Sequence, residues 1–466
     1  MKDFFYKYAN RDDLIAIRTS ANNITYKELF NSTEELSAKL SAINDLTNRF
    51  VPIISSNNSE FIRITLALWN KGFVPVPINT RWTEIEIENV LTRHKFDLVF
   101  YQNIFFDKIK NLNIKKFSFD ELLSLPAKET HSTINDEALV IFTSGSTGEP
   151  KGVVHSFNSI ANSTINGAEI LNQNISDRWL ASLPFYHIGG FQIICRALSS
   201  GCEIIIPDNL ETESLKKAIE QFNPTHISLV STQLQRLIEC DTRLDKSLKL
   251  TLVGGGFSED ELIINSDKIG WRPIRVYGSS ETASFITAAS AEEIRKNPGT
   301  VGKPVNYTKI KLSDEDEILI STSSLFSYYL NNPEETKSKL KNGFYHSGDL
   351  GKISGEYLFL EARRNDLIVS GGENVNPYEV EKALMEIPEI KEACVFPIED
   401  SEWGQLVACA IVVNKEISDE EIRKELKSKL AAFKIPKKFY FVNQLPKTSL
   451  GKIEREKIRV MFRTEK

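Results

Sequence analysis

At 466 residues, 41% hydrophobic and 26% charged, the chain reads as globular and too long for one ordinary core, so two or more domains are expected. A net charge of −6 gives no basis for nucleic acid or an anionic membrane as partner. No apolar run approaches the roughly 18 residues of a membrane span, and the start MKDFFYKYANRDD lacks a signal-peptide core. Five cysteines, none in a CxxC pair, and six histidines without HExxH spacing argue against a disulfide framework or a zinc site and for a reducing cytoplasm.

The predicted elements alternate from the start. Leu14 to Arg18 reads as a strand, and Thr25-x-x-Glu28 is a capping box opening a helix to about Ile43. Phe50 to Ile54 is strand-like, Ser59 to Trp69 helical and Phe73 to Ile78 strand-like. Thr83-x-x-Glu86 caps another helix before the strand Phe96 to Tyr101. This β/α rhythm predicts parallel sheets covered by helices, with no internal repeat and no low-complexity segment.

Residues 138–155, ALVIFTSGSTGEPKGVVH, follow. A buried-strand run from Leu139 to Phe142 opens into Thr143, Ser144, Gly145, Ser146, Thr147 and Gly148, then Glu149, Pro150 and Lys151 lead into a second β-branched run. Glycines let a backbone approach a ligand and aim successive N–H groups at it, small hydroxyls add donors, and Lys151 adds a mobile cation. That is the chemistry of a phosphate cradle. It is not the GxxxxGK[ST] P-loop, because Gly145 and Gly148 are three apart, Pro150 lacks an N–H and the chain re-enters a strand.

Phe157 to Leu171 reads as a helix, and LPFYHIGGFQIICRAL (183–198) places Phe185, Tyr186 and His187 before Gly189-Gly190 and an apolar helix carrying Arg196. PTHISLVSTQLQRL reads as strand, turn and helix with Ser231, Thr232 and Gln235. TLVGGGF (251–257) is a strand ending in glycines that include Gly255 and Gly256, which suits a flat ring lying close to the backbone. IRVYGSSET (274–282) repeats the plan with Tyr277, Gly278, Ser280 and Glu281. NPGTVGKP (297–304), GFYHSGDL (343–350), EARRNDLIVSGGENVNPYEVE (361–381) and LPKTSLGKIER (445–455) follow. Between the last two, Ala393–Pro397 and Leu406–Val413 are strand-like, and Ser418–Lys429 is an amphipathic helix with an acidic start and a basic end.

These strings, in this order, resemble the adenylate-forming enzymes: acyl-CoA synthetases, luciferases and peptide-synthetase adenylation domains. Residues 143–152 match their [ST]SG[ST]TGxPKG loop, 277–281 their YGxTE box with Ser280 for Thr, and 345–349 their [YF]xTGD box with Ser347 for Thr. Residues 297–304 are similar to their GxxG[KR]P turn. Residues 361–381 resemble GRxDDxIxxGGxxIxPxEVE, with Ala362 for Gly and Asn365 for the usual hinge carboxylate, and 446–453 resemble PKTxxGK[IL]. The resemblance spans nearly the whole chain and is weakest over residues 1–135, where only the alternating pattern is visible.

The resemblance implies an α/β fold: a large N-terminal domain of β-sheets covered by helices (1–362), a hinge (363–365) and a small mobile α+β C-terminal domain (366–466). It implies ATP, Mg²⁺ and coenzyme A as ligands beside a small-molecule carboxylic acid. Thr143 to Gly148 and Lys151 would take phosphate, with Gly255, Gly256, Tyr277 and Gly278 around adenine. Ser280 would meet the phosphate, Glu281 would hold the metal, Asp349 would accept both ribose hydroxyls, and Arg363 would contact ribose and phosphate. His187 belongs to the aromatic-histidine segment that lines the acyl pocket and the thiol route. Lys452 would be the catalytic lysine, Asn365 the pivot, and Gly371 and Gly372 the loop that serves the second step. The implied reaction joins an acid to AMP with loss of pyrophosphate and then hands the acyl group to a thiol.

The chain ends fourteen residues after Lys452, which leaves no room for a fused carrier domain and favours free coenzyme A. Residues 183–198 and 224–236 most resemble the branch of the family that acts on the aryl dicarboxylate 2-succinylbenzoate in menaquinone synthesis, whose segments read LPLYHISG and THxSLVPTQLxRLL. The second carboxylate then needs a cation or donors. Arg196 is the candidate cation, with Ser231, Thr232 and Gln235 as donors, and an arginine paired with a neighbour at the edge of the core is the alternative. A ligase for another aryl or medium-chain acid, or a nucleotide-binding relative without chemistry, are the rival readings. Nothing in the sequence reports oligomeric state.

Overall fold

Capping boxes fix several helix starts. Thr25 with Glu28 opens the helix Tyr26–Leu40, Thr83 with Glu86 opens Glu84–Arg93, and Ser290 with Glu293 opens Ala291–Lys296. In each the hydroxyl accepts from the third helical N–H and the glutamate reaches back to the cap N–H, so two otherwise orphaned donors are satisfied together. The computed structural model describes residues 2–43, 48–128, 135–143, 150–256, 258–363, 368–370, 373–400, 404–427, 429–430, 432–448 and 451–462. The chain divides into two compact units: one takes the described residues up to Ile310 with Ile320–Tyr345, the other Lys311–Leu319 and the described residues from His346 onward.

The first unit is built on three sheets. The strands Val74–Pro77, Phe50–Ile54, Leu98–Tyr101 and Lys115–Ser118 pair in that order, all parallel. Tyr328–Tyr329, Lys151–Ser156 and Glu137–Thr143 form an antiparallel sheet. The largest sheet runs through Thr300–Pro304, Ser284–Ser290, Pro273–Ser279, Leu250–Val253, His226–Leu229, Arg178–Leu180, Glu203–Ile205, Ile15–Arg18 and Asn23–Thr25. It is parallel from Pro273–Ser279 to Ile15–Arg18 and antiparallel at both ends. Its parallel strands read as apolar runs such as LTLV, as expected where both faces are covered.

The alternating pattern is found over residues 14–101, but the sheets are mixed rather than purely parallel, because hairpin-type neighbours close the ends. The helix expected from Phe157 to Leu171 is two helices, Phe157–Asn166 and Ala168–Leu171, broken at Gly167 where Phe285 packs.

The second unit carries the hairpin in which Asp349–Ser354 pairs with Tyr357–Arg363. It also has a sheet ordered Glu373–Val375, Ile368–Ser370, Gly404–Val413, Ile390–Asp400, with Lys438–Phe441 parallel to Gly404–Val413. The helices Pro377–Met385 and Asp419–Lys427 bury Val380, Leu384, Ile422 and Leu426 into a core with Val395, Val407 and Ile411, while Arg455–Met461 places Ile458 against Phe396. No helix among the described residues is long and apolar enough to cross a membrane.

Candidate functional site

In the first unit the cradle strings stand at strand ends. Ser144 to Gly148 lie outside the described residues. The flanks are in place: Glu137–Thr143 and Lys151–Ser156 pair so that Thr143 faces Lys151 across the ladder. The Lys151 ammonium is 2.6 Å from Glu335 Oε1 and 5.9 Å from the centre of the Tyr329 ring.

The turn after Pro273–Ser279 holds the second charge. Glu281 sits in a single 3₁₀ turn, Ser280–Thr282, and its Oε1 accepts from the Tyr329 hydroxyl at 2.8 Å. The turn is held from several sides. His155 Nε2 lies 2.8 Å from the Ser280 carbonyl, the Phe326 N–H donates to the Glu281 carbonyl at 2.8 Å, and Ser163 Oγ donates to the Ala283 carbonyl at 2.7 Å. A carbonyl only accepts, so Nε2 of His155 carries the proton, and full burial pushes the ring's pKa down to about 4. Gly278 is required by close approach: a Cβ there would lie 2.0 Å from the Ser284 carbonyl oxygen. Tyr277 is half-buried on the same strand, next to the register shift before Gly278. Gly255 takes φ +80° at the end of the neighbouring strand, and beyond it a Cβ on Gly256 would meet nothing within 4 Å.

The segment before the helix Ile188–Ser200 is pinned by Asn57, whose Nδ2 donates to the Leu183 carbonyl at 2.8 Å and whose Oδ1 accepts from the Phe185 N–H at 2.9 Å. A Cβ on Gly190 would sit 2.1 Å from the Pro184 carbonyl oxygen, so only glycine lets the helix start this tightly under the turn. His187 is the N-cap residue, its ring 4.7 Å from that of Tyr186. Desolvation, with the Arg81 cation second, lowers its pKa to about 4, so it is a neutral imidazole near pH 7.

Arg196 lies two turns up that helix, 1% exposed. Its Nη2 donates to Ser284 Oγ at 3.1 Å, and its guanidinium stacks 5.4 Å from the Trp179 ring and 5.2 Å from the Phe285 ring. Nε has no hydrogen-bond partner, and no carboxylate among the described residues lies in ion-pair range. Burial lowers its pKa to about 10, still charged at neutral pH.

Leu234 and Leu237 turn into the core, so Gln235 falls on the exposed face of Ser231–Glu239 and donates to Glu239 Oε1 at 2.9 Å. The inward glutamine is Gln233, whose Nε2 donates to the Ser182 carbonyl at 3.1 Å. Ser231 is half-buried at the first position of that helix.

In the second unit, Asp349 and Arg363 are backbone partners across the hairpin, although the two strings are fourteen residues apart in the chain. The Ser347 hydroxyl donates to the Ile318 carbonyl at 2.8 Å and receives the Asp349 N–H at 3.0 Å, so the serine that replaces threonine keeps the turn closed. Asn365, Gly371 and Gly372 lie outside the described residues, as does the Arg363 side chain. Lys452 is exposed on a loop that closes on itself: Thr448 N–H donates to the Lys452 carbonyl at 2.7 Å, Gly451 N–H to Thr448 at 2.9 Å, and Glu454 N–H to Pro446 at 2.9 Å. Arg455 anchors the loop through a 2.6 Å ion pair with Glu381 and by stacking 4.5 Å from the Tyr378 ring.

Residues 4–330 match the family model described as AMP-binding enzyme, and residues 379–452 match the AMP-binding enzyme C-terminal domain. The chain belongs to the AMP-binding enzyme family. Among its relatives in the family, the 2-succinylbenzoate–CoA ligase of Bacillus cereus (strain Q1) is 29% identical over 464 residues, covering 96% of this chain and 95% of that one. The ligase of the same name from Listeria monocytogenes is 29% identical, covering 93% and 94%. The o-succinylbenzoate coenzyme A synthetase of Bacillus subtilis, solved with its acyl-adenylate intermediate, is 27% identical with a TM-score of 0.91 over 98% of both chains. Solved with ATP and magnesium ion, it is 28% identical with a TM-score of 0.90, over 98% of this chain and 99% of that one. The fold is that of these AMP-binding enzymes.

Sequence reasoning missed Tyr329, Glu335 and Gln233. The signal for the first two lies in SYYLNNPEET: Asn332 caps the helix Pro333–Lys339, proline holds its first turn, and acids follow, which marks a short helix set directly behind an aromatic pair.

Proposed function

We propose that this AMP-binding enzyme is an ATP-dependent acid–CoA ligase that converts 2-succinylbenzoate, ATP and coenzyme A into 2-succinylbenzoyl-CoA, AMP and diphosphate, by way of the acyl adenylate. The observation that carries the reading is likeness over nearly the whole chain to an enzyme solved with an acyl adenylate in place. Arg196 supports the choice of a dicarboxylate, because a buried guanidinium held by one hydroxyl and two aromatic rings would gain from a carboxylate supplied from outside.

A carboxylate is a poor acyl donor, and transfer to AMP supplies a leaving group. Catalysis of that step is chiefly positioning and charge neutralisation. In this reading Lys452 bridges the acid's carboxylate and the α-phosphate, while Lys151, with the loop Thr143 to Gly148, takes the diphosphate charge. Tyr277, Gly255, Gly256 and Gly278 frame adenine, Ser280 meets phosphate, and Asp349 and Arg363 take the ribose side.

Among the described residues no cluster of three or more His, Cys, Asp or Glu is placed to hold a metal. One carboxylate, Glu281, with Tyr329 occupying one oxygen, suits a magnesium ion that keeps waters and phosphate oxygens as its other ligands. Bound there, the ion would neutralise charge on the phosphates. The acyl pocket is assigned to His187, Arg196, Ser231 and Gln235, and the thiol step to the His187 side together with Gly371 and Gly372. In this reading residues 363–365 would be the hinge between a large domain (1–362) and a small one (366–466), with Asn365 as pivot. Five free cysteines fit a reducing cytoplasm.

The test is ATP–pyrophosphate exchange with 2-succinylbenzoate and a panel of aryl and medium-chain acids, followed by CoA-dependent AMP release. Exchange and thioester formation are expected to be at least about tenfold more efficient with the dicarboxylate than with benzoate or hexanoate, the worth of one well-placed contact. A better monocarboxylate would move the substrate assignment, and no exchange with any acid would leave a nucleotide-binding relative without chemistry.

A further inference from the structure

The stretch from Phe326 to Lys339 laces the two charged ends of the phosphate side together. Ser327 N–H donates to the Val154 carbonyl at 2.8 Å and Leu330 N–H to the Gly152 carbonyl at 2.7 Å, while Tyr328–Tyr329 pairs with the strand that begins at Lys151. Phe326 N–H reaches the Glu281 carbonyl at 2.8 Å. Tyr329 N–H donates to Thr336 Oγ1 at 2.9 Å, which folds the helix Pro333–Lys339 back beside it. One side chain, Tyr329, touches both charges: its hydroxyl donates to Glu281 and its ring lies under the Lys151 ammonium. The ring is 3% exposed and packs against Phe326, with centroids 4.7 Å apart. Glu335 completes the set on Lys151, with side chains 26% and 20% exposed.

We propose that Tyr329 and Glu335 are positioning residues that hold Glu281 and Lys151 as one preassembled receptor for a magnesium–nucleoside triphosphate. Tyr329 commits one carboxylate oxygen of Glu281, fixing its rotamer and leaving Oε2 for the cation. Glu335 and the aromatic face restrain a lysine whose long stem otherwise samples many rotamers. The inference rests on the ligase reading for the roles of Lys151 and Glu281, and adds two residues that act through them.

The experiment is a pair of double-mutant cycles read by calorimetric binding of magnesium–ATP and by the magnesium dependence of pyrophosphate exchange. Tyr329→Phe keeps the ring and loses the hydroxyl. It is expected to weaken magnesium–ATP binding about five- to tenfold and to raise the half-saturating magnesium concentration by the same factor, since hydrogen bonds to charged groups are the stronger class. In a Glu281→Gln background it should add less than about twofold. Glu335→Ala should weaken binding about tenfold, Glu335→Gln, which keeps an acceptor for Lys151, only about twofold, and neither should add to Lys151→Met. Thioester formation from supplied acyl adenylate should be unchanged in Tyr329→Phe and in both Glu335 variants.

Additive losses, equal loss in both half-reactions, or Tyr329→Phe binding like wild type would overturn the proposal. A wild-type protein that binds magnesium–ATP but exchanges pyrophosphate with no acid would sink the ligase reading while the binding cycles still decide this one. A wild-type protein that does not bind magnesium–ATP would sink both.

Discussion

Replacing Arg196 with methionine separates stability from substrate recognition. The guanidinium is 1% exposed, its polar partner among the described residues is Ser284 Oγ, and Nε has none. Moving a charge into such a place costs several kcal/mol before compensation, and two aromatic faces and one hydroxyl return only part of it. Exchanging a poorly compensated buried ion for an apolar side chain of similar length commonly stabilises by about 1–4 kcal/mol. Arg196→Met is therefore expected to raise the unfolding midpoint by a few degrees in the absence of substrate.

The kinetic sign is opposite. Without the cation, the second carboxylate of the acid would be buried unpaired, which typically costs about 2–5 kcal/mol, or between about 30-fold and several thousand-fold in kcat/KM. The same variant should change adenylation of a monocarboxylate analogue less than about threefold. Differential scanning calorimetry with pyrophosphate exchange on both acids makes the measurement. A destabilised variant that loses both acids equally would show a structural arginine, and an unchanged KM for the dicarboxylate would remove it from the pocket.

Two further outcomes follow from the geometry. Lys452→Ala should abolish adenylation while sparing thioester formation from supplied acyl adenylate, because the loop that carries it is closed by backbone bonds that do not use its side chain; equal loss of both half-reactions would remove its assigned role. His155 is buried neutral with a folded pKa of about 4 against an ordinary 6.5, so the unfolded chain binds the extra proton between those values and stability falls as pH drops through that window. Urea unfolding at pH 7 and pH 5 should show about 2 kcal/mol of acid sensitivity from this one group, absent in His155→Gln whatever that variant's overall stability.

Much of the fold was legible because its signals are local. Thr25 with Glu28 and Thr83 with Glu86 announce their helices within four residues, and the apolar runs at Phe50 and Leu98 stand where strands form. What was not legible depends on contacts far apart in the chain. The break at Gly167 is set by Phe285, more than a hundred residues on. The choice between Gln233 and Gln235 turns on which face of a nine-residue helix meets the core, and a short helix with both glutamines near its start leaves the phase ambiguous until Leu234 and Leu237 are seen buried. Tyr329 and Glu335 gain meaning only once their stretch is laid against Lys151 and Glu281, some 180 and 50 residues earlier.

Ala283 and Ser284 both sit at positive φ, 53° and 117°, between the turn that carries Glu281 and the strand whose serine receives Arg196. Non-glycine residues held there carry strain of about 1–3 kcal/mol each, kept in place by the surrounding bonds. The joint is therefore shared property. A substitution that lets it relax shifts the carboxylate on one side and the guanidinium's hydroxyl on the other in a single movement, so metal requirement and choice of acid would drift together under mutation, and a variant selected to accept a new acid would arrive with an altered appetite for magnesium.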